Sequence, residues 1–149
     1  MSEGVADEFG PDAKRNIALR ITVLARLMRN RFDREVASLN VTRSQWSMIV
    51  VVSRFPGATQ RTIAEALEMS EASAGRLIDR LCADGLLERQ ERFDDRRARA
   101  VYLTPAAQPL LAKLHEIGAK GEQRLFRGFS EAELAALEAS LEHIYRTLG

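Results

Sequence analysis

Residues 70–105 read SEASAGRLIDRLCADGLLERQERFDDRRARAVYLTP, and the periodicity of this stretch changes in its middle. Its first half repeats apolar residues at the helical steps of three and four: Ala74, Leu77, Ile78 and Leu81. Ser70 is a favourable N-cap for this helix, and Gly85 is a favourable residue to end it. Its second half contains two short runs of strand character, at 87–92 and 100–103, with a charged segment between them. The stretch therefore predicts a helix followed by a β-hairpin with a long charged tip.

Two more helices are predicted immediately upstream. Thr59 is a plausible N-cap for a short helix at 60–67, and Glu68-Met69 forms a brief turn before Ser70. Thr42-Arg43-Ser44-Gln45 is a capping box that opens the helix before it, which Pro56-Gly57 ends. Two short helices joined by a tight turn and followed by a hairpin are the plan of a winged helix-turn-helix.

Apolar stripes mark the helices on both flanks. Asp12 is the predicted N-cap of a first helix with one apolar stripe: Ile17, Ile21, Leu24, Met28, Phe32 and Val36. Thr104 is the predicted cap of a fifth helix, with Pro105 at its first position, and Ser130 with Glu133 opens the last. The last helix alternates apolar steps of three and four: Leu134, Leu137, Leu141, Ile144 and Leu148. A first helix of about 28 residues would be roughly 40 Å long, so these stripes favour a homodimer over the alternative of a monomeric core.

Composition excludes several classes of protein. A chain of 149 residues with 46% hydrophobic and 29% charged residues is typical of one globular domain. Cys82 is the single cysteine, and His115 and His143 stand alone, so neither a disulfide nor a metal site is expected. No nucleophile–base pair or phosphate-binding glycine loop is visible, which argues against an enzyme or a cofactor. Without a signal peptide or an apolar run of about 20 residues, we expect a cytoplasmic protein with no membrane contact.

The leading end of the fourth helix is the candidate recognition surface. A helix about 10–12 Å across can enter the major groove of duplex DNA, where its first residues meet base edges. Here that end offers small side chains, hydroxyls and one arginine: Ser70, Ala72, Ser73 and Arg76. Arg76 can form a fork onto guanine, and Arg80, one turn further on, is better placed for phosphate. Ser70 is needed as a cap in any case, so Ser73, Arg76 and Arg80 are the stronger candidates for DNA contact.

The hairpin tip supplies a second set of candidates. A cluster of exposed arginines is usually only a solvated face, but its position directly after a helix-turn-helix favours contact with a narrow minor groove. The arginines in question are Arg92, Arg96, Arg97 and Arg99.

Five motifs together resemble the multiple-antibiotic-resistance regulator (MarR) family, particularly its SlyA-like branch. They are Thr42-Arg43-Ser44-Gln45-Trp46, Arg76-Leu77-Ile78-Asp79-Arg80-Leu81, Asp84-Gly85-Leu86-Leu87-Glu88-Arg89, Asp95-Arg96-Arg97 and Leu103-Thr104-Pro105. The resemblance implies a mainly α fold with a small β-hairpin wing. It places a tail at 1–11 and a single domain at 12–149, in which dimerisation helices at 12–39 and 104–148 flank a winged helix-turn-helix at 42–103. The implied function is a dimeric regulator, most simply a repressor, on a pseudo-palindromic operator.

The resemblance also implies roles for individual residues. Asp95 would brace the wing, while one of Arg96 and Arg97 reaches the minor groove and the other is held by an acid, for which Asp79 is a candidate. Ala107, where many members have glycine, and the additional wing acid Asp94 depart from the family pattern.

An effector is a further implication of the resemblance. The family often takes small aromatic acids in a crevice beside the dimer helices, which Arg20, Arg26, Trp46 and His115 are candidates to line. Surface pairing of the arginines and packing of the indole are the simpler explanation for each of these residues. A regulator that needs no ligand remains open, whereas a winged-helix module for protein interaction would call for an uncharged wing.

Overall fold

The computed structural model describes residues 12–91 and 99–149, so the predicted tail at 1–11 and residues 92–98 of the predicted hairpin tip lie outside the described part. The chain divides into two compact units, Met1–Ile117 and Gly118–Gly149. The helices are α1 Ala13–Val36, α2 Arg43–Arg54, α3 Gln60–Ala66, α4 Glu71–Ala83, α5 Gln108–Leu125 and α6 Glu131–Leu148. The strands are β1 Ala58–Thr59, β2 Leu87–Glu91 and β3 Arg99–Leu103. The mainly helical fold with a small β wing is therefore confirmed.

Side-chain caps start the helices where the sequence predicts them. Asp12 accepts hydrogen bonds from the backbone N–H groups of Lys14 and Arg15 at the start of α1. Thr42 and Ser130 each form a complete capping box, opening α2 and α6. Thr59 and Ser70 cap α3 and α4 in the same way, through the N–H three residues further on. Because each cap satisfies an otherwise unpaired N–H group, these boundaries are local properties of the sequence.

The prediction that Thr104 caps the fifth helix is wrong. Its hydroxyl donates instead to the carbonyl of Gly85 at 2.5 Å, and no side-chain cap bond is formed. Pro105 begins a 3-10 turn, Pro105–Ala107, and α5 starts only at Gln108. The hydroxyl can reach Gly85 because the end of β3 lies beside the turn that ends α4. The Thr104 N–H also donates to the Leu86 carbonyl in this turn.

The first helix is shorter than predicted. α1 contains 24 residues, which corresponds to about 36 Å. After Val36 the chain tightens into a 3-10 turn, Ala37–Leu39, and Asn40 adopts a left-handed φ of 56°. Asparagine tolerates this conformation better than most residues, so it allows the chain to turn towards α2.

The sheet has three antiparallel strands in the order β1-β3-β2, one more than the predicted hairpin. Leu87 pairs with Leu103 and Glu91 with Arg99 across the hairpin, while Ala58 pairs with Val101 on the other edge. The turn before β1 needs glycine, because Gly57 has a φ of +83° and a β-carbon there would lie 2.7 Å from the Tyr102 hydroxyl. The extra strand joins the helix-turn-helix to the wing.

The core of the first unit anchors α4. Val36 of α1 and Leu114 of α5 belong to this core. Its other buried apolar side chains come from α2, α3, α4, β2 and β3: Met48, Ile49, Val52, Ile63, Ala64, Ala74, Ile78, Leu81, Leu87 and Val101. Burial of these side chains provides the main driving force that holds α3, α4 and the sheet together.

Two helices leave most of their apolar stripes exposed. In α1 the side chains of Ile17, Ile21, Leu24 and Met28 are exposed, Leu24 to 51%. In α6 the same holds for Leu137, Leu141, Ile144 and Leu148, with Leu141 at 46%. Within the described residues no helix combines the length and the apolar character that crossing a bilayer requires.

Candidate nucleic-acid interface

One face of α4 is fixed towards solvent by the burial of the other. Ala74, Gly75, Ile78 and Leu81 are buried at helical spacing. The same rotation of the helix leaves one row of side chains exposed: Ala72, Arg76, Asp79 and Arg80. The leading end of α4 is therefore presented on a rigid support, as the recognition-surface prediction requires.

Hydrogen bonds order the side chains at this leading end. Ser70 Oγ accepts from the Ser73 N–H at 3.0 Å and donates to Ser73 Oγ at 2.8 Å. Arg76 Nη2 donates to the same Ser73 Oγ at 3.2 Å. Since Ser73 Oγ accepts twice in this chain of bonds, its own hydroxyl proton is available to another acceptor. Ser70 acts as the cap, whereas Ser73 and Arg76 retain donors to offer a ligand.

Gly75 leaves room for the Gln60 side chain between α3 and α4. A β-carbon at this position would lie 2.6 Å from Gln60 Nε2, a distance that real contacts do not reach. Gln60 Nε2 occupies this space in order to donate to the Glu71 carbonyl at 3.1 Å. A residue with a β-carbon at position 75 would therefore displace the Gln60 amide from its hydrogen bond to Glu71.

Arg89 is a functional candidate that the sequence interpretation missed. It donates from Nη1 to Asp79 Oδ1 at 2.5 Å, and from Nη2 to the Gly75 carbonyl and to Gln60 Oε1, each at 3.3 Å. The strand period contained a signal, because Arg89 follows inward-facing Leu87 by two residues and shares its side of β2. Asp79, predicted as the acid that holds a wing arginine, is thus paired with a strand arginine among the described residues.

The wing tip is described only at its edge. Arg99, the first residue of β3, is exposed and lies opposite Glu91. The other wing candidates, Arg92, Asp95, Arg96 and Arg97, fall outside the described residues, and their assignment stays a prediction.

The candidate effector residues differ in their surroundings. The Trp46 indole donates to Asp33 Oδ1 at 2.8 Å and packs edge-on against Phe32 with ring centroids 4.7 Å apart. Trp46 thus has the packing role that was the simpler explanation. Arg20 and Arg26 on α1 are exposed, as is His115 on α5.

A polar joint connects the end of α1 with the start of α2. Arg43 donates to Asp33 and, at 2.8 Å, to Asn30 Oδ1, while Trp46 bonds the other oxygen of Asp33. The hydrogen bond from Arg43, reinforced by Trp46 and opposed by partial burial, holds the pKa of Asp33 below its ordinary value.

This joint gives a pH-dependent contribution to stability. Because the pKa of Asp33 is lower in the folded protein than in the unfolded chain, its contribution is present above the unfolded value of about 3.9 and is lost as the pH falls through the folded value. We expect Asp33→Asn to destabilise the protein at pH 7 and by less at pH 3. Urea unfolding of both proteins at the two pH values measures this difference, and a gap that does not narrow at pH 3 would refute the assignment.

Cys82, the single cysteine, lies near the end of α4 and is partly buried. Partial burial raises the pKa of the Cys82 thiol, which disfavours its reactive thiolate form. In the described ranges, no three histidine, cysteine or acidic side chains come together as a possible metal site.

Together, α3, the tight turn, α4 and the antiparallel sheet define a winged helix-turn-helix protein. Residues 39–98 match the model of the MarR family. The predicted resemblance to this family is therefore confirmed over these residues.

Solved structures of transcriptional regulators share this fold. The transcriptional regulator PA3341 is 28% identical with a TM-score of 0.81, covering 89% of this chain and 97% of its own. The transcriptional regulator SlyA is 26% identical with a TM-score of 0.76, over 89% of this chain and 93% of its own. A putative MarR-family regulator from Listeria monocytogenes, solved with a 26mer DNA, is 22% identical with a TM-score of 0.76, over 93% and 90%.

Proposed function

We propose that this protein binds duplex DNA as a homodimer and regulates transcription, with α4 in the major groove and the wing on the adjacent minor groove. The observation that carries the proposal is the leading end of α4, where Ser73 and Arg76 offer donors to solvent on a helix anchored by its buried face. The likeness to the Listeria monocytogenes regulator solved with DNA supports the same function.

The exposed face of α4 carries hydrogen-bond donors that suit the acceptors on the base edges of duplex DNA. The major groove is about 12 Å wide and admits a helix, and its guanines present two acceptors to a forked arginine. Arg76 supplies that fork and Ser73 a single donor, both from the leading end of the helix. Arg80, also exposed, lies four residues further on, where a helix in the groove passes the phosphate backbone. Contacts from two successive turns of α4 are thus available to one half-site.

A second copy of this chain is the partner that the exposed stripes favour. Ile17 and Leu24 in α1 are both more than half exposed, and Leu141 in α6 nearly so. Burial of apolar surface contributes about 25 cal/mol per Å², so such stripes favour association. The alternating steps in α6 are those of a helix that packs against another helix. Two copies related by a two-fold axis would then present two α4 helices to an inverted repeat.

The proposed output is repression that a small aromatic carboxylate relieves. The family resemblance supports this effector, and Arg20 and Arg26 on the exposed side of α1 would supply the cations that pair with its carboxylate. An effector that favours one spacing of the two α4 helices would change operator affinity by its differential binding to the two states. Adding salicylate to the operator complex tests this part. Release of the DNA supports an effector, and unchanged affinity favours a regulator that works without this ligand.

The wing has its own test. Replacing Arg96 and Arg97 together with alanine should weaken operator binding and lower the slope of log affinity against log salt by about 1 for each phosphate that is no longer neutralised. The dimer should stay intact, because the exposed stripes lie elsewhere. Arg146→Ala is the matched control, since Arg146 lies on the side of α6 opposite the apolar seam, paired with Glu142. Operator affinity equal to that of the unaltered protein would contradict the assignment of the wing.

A further inference from the structure

Arg89 lies at the place where the β-sheet of the wing meets α4 and α3. It lies on β2, on the inward side together with Leu87, and its side chain is only 20% exposed. An arginine that is largely withdrawn from solvent needs partners for its charge and its donors. The partners here belong to two different helices.

The bonds of Arg89 connect three elements through one planar group. Nη1 donates to Asp79 on α4, and Nη2 donates both to the Gly75 carbonyl on α4 and to Gln60 on α3. Gln60 in turn donates to the Glu71 carbonyl in the first turn of α4. The guanidinium is rigid, so it fixes directions as well as distances.

These bonds involve the immediate neighbours of the two arginines that are proposed to contact DNA. Gly75 directly precedes Arg76, and Asp79 directly precedes Arg80. The Asp79 side chain is 67% exposed and would place an unpaired negative charge on the recognition face. Its bond with Arg89 neutralises that charge and ties the middle of α4 to the wing.

We propose that Arg89 is a positioning residue that sets the orientation of α4 relative to the wing and thereby determines how well the protein discriminates its operator from other DNA. This inference rests on the proposed function, since it concerns the selectivity of DNA binding. A surface ion pair that merely adds stability would change the melting temperature and leave discrimination unaltered. Discrimination is therefore the quantity to measure.

The experiment compares Arg89→Lys with the unaltered protein. Lysine keeps the charge but has no planar fork, so it cannot satisfy Asp79, Gly75 and Gln60 together. Dissociation constants are measured at one salt concentration for an operator obtained by selection from a randomised library and for a random duplex of equal length. We expect the ratio of the two constants to fall about tenfold, with affinity for the random duplex nearly unchanged. Arg146→Lys, in the exposed pair with Glu142, is the matched control and should leave the ratio unaltered.

Asp79→Ala tests the same bond from its other side. Loss of the carboxylate should raise affinity for the random duplex, because the positive charge of Arg89 is then no longer balanced, and should lower the discrimination ratio. The double variant should lose no more discrimination than the more affected single variant, since both remove one connection. If the unaltered protein is selective but both single variants keep its ratio, Arg89 is not a positioning residue. If the unaltered protein itself shows no selectivity, the proposed function fails instead.

Discussion

Removal of residues 130–149 is expected to convert the protein into monomers and to weaken operator binding by two to four orders of magnitude. The deletion takes away α6, whose exposed seam of Leu137, Leu141, Ile144 and Leu148 is part of the proposed dimer surface. In a dimer, binding of one winged helix to its half-site holds the second at a high effective concentration near the other half-site. Monomers lose this advantage, which lowers operator affinity by about 10²- to 10⁴-fold. Sedimentation equilibrium and operator titration measure the two effects.

A single substitution makes the same test without shortening the chain. Leu141→Glu places a charge in the middle of the seam, where burial against a second copy would be costly. Ala139→Glu is the matched control, because Ala139 is exposed on the opposite side of α6. The control should remain a dimer and bind normally. A folded Leu141→Glu monomer that binds as tightly as the unaltered protein would refute the dimer model.

Replacing Arg76 with alanine is expected to cost about 1–3 kcal/mol at the operator, a loss of roughly 5- to 150-fold. The side chain is exposed at the leading end of α4 and is oriented by Ser73. The base preference should relax at one position in each half-site, because the forked hydrogen bonds to one guanine are removed. Binding to a panel of operators with single base changes measures this preference.

Arg80→Ala is the comparison for Arg76. A contact to phosphate carries no sequence information, so its removal should weaken binding to all duplexes alike and reduce the salt slope by about 1. Equal losses on every sequence for Arg76→Ala would show that Arg76 also contacts only phosphate.

Features that depend on nearby residues were predictable from the sequence. The caps Asp12, Thr42, Thr59 and Ser70 act through N–H groups two or three residues away, so their patterns are visible in the chain. The exposed face of α4 follows equally from its apolar spacing.

Features that depend on contacts between residues far apart in the chain were not predictable from the sequence. β1 contains two residues, too few to show a period, and exists because Ala58 pairs with Val101. Thr104 has the sequence pattern of a helix cap, but in the fold its hydroxyl lies within reach of the Gly85 carbonyl and bonds to it instead. Arg89 could be recognised as an inward-facing arginine, but its partners Gln60 and Asp79 become neighbours only when α3, α4 and β2 pack.

Apolar periodicity also does not show whether a residue in the stripe is buried within the chain or left exposed. Val36 and Ile17 belong to one stripe of α1, yet Val36 is buried in the core while Ile17 is more than half exposed. The difference lies in which end of the helix meets α2 and its neighbours, and this is a property of the tertiary fold.

The central claim is that two copies present paired α4 helices to DNA, and selection of bound duplexes from a randomised library tests it most directly. We predict that the enriched sequences share an inverted repeat whose half-sites are centred about 10 base pairs apart, or a multiple of that spacing. A library that shows no shared sequence after selection, or one that yields only a single unrepeated half-site, would contradict the account.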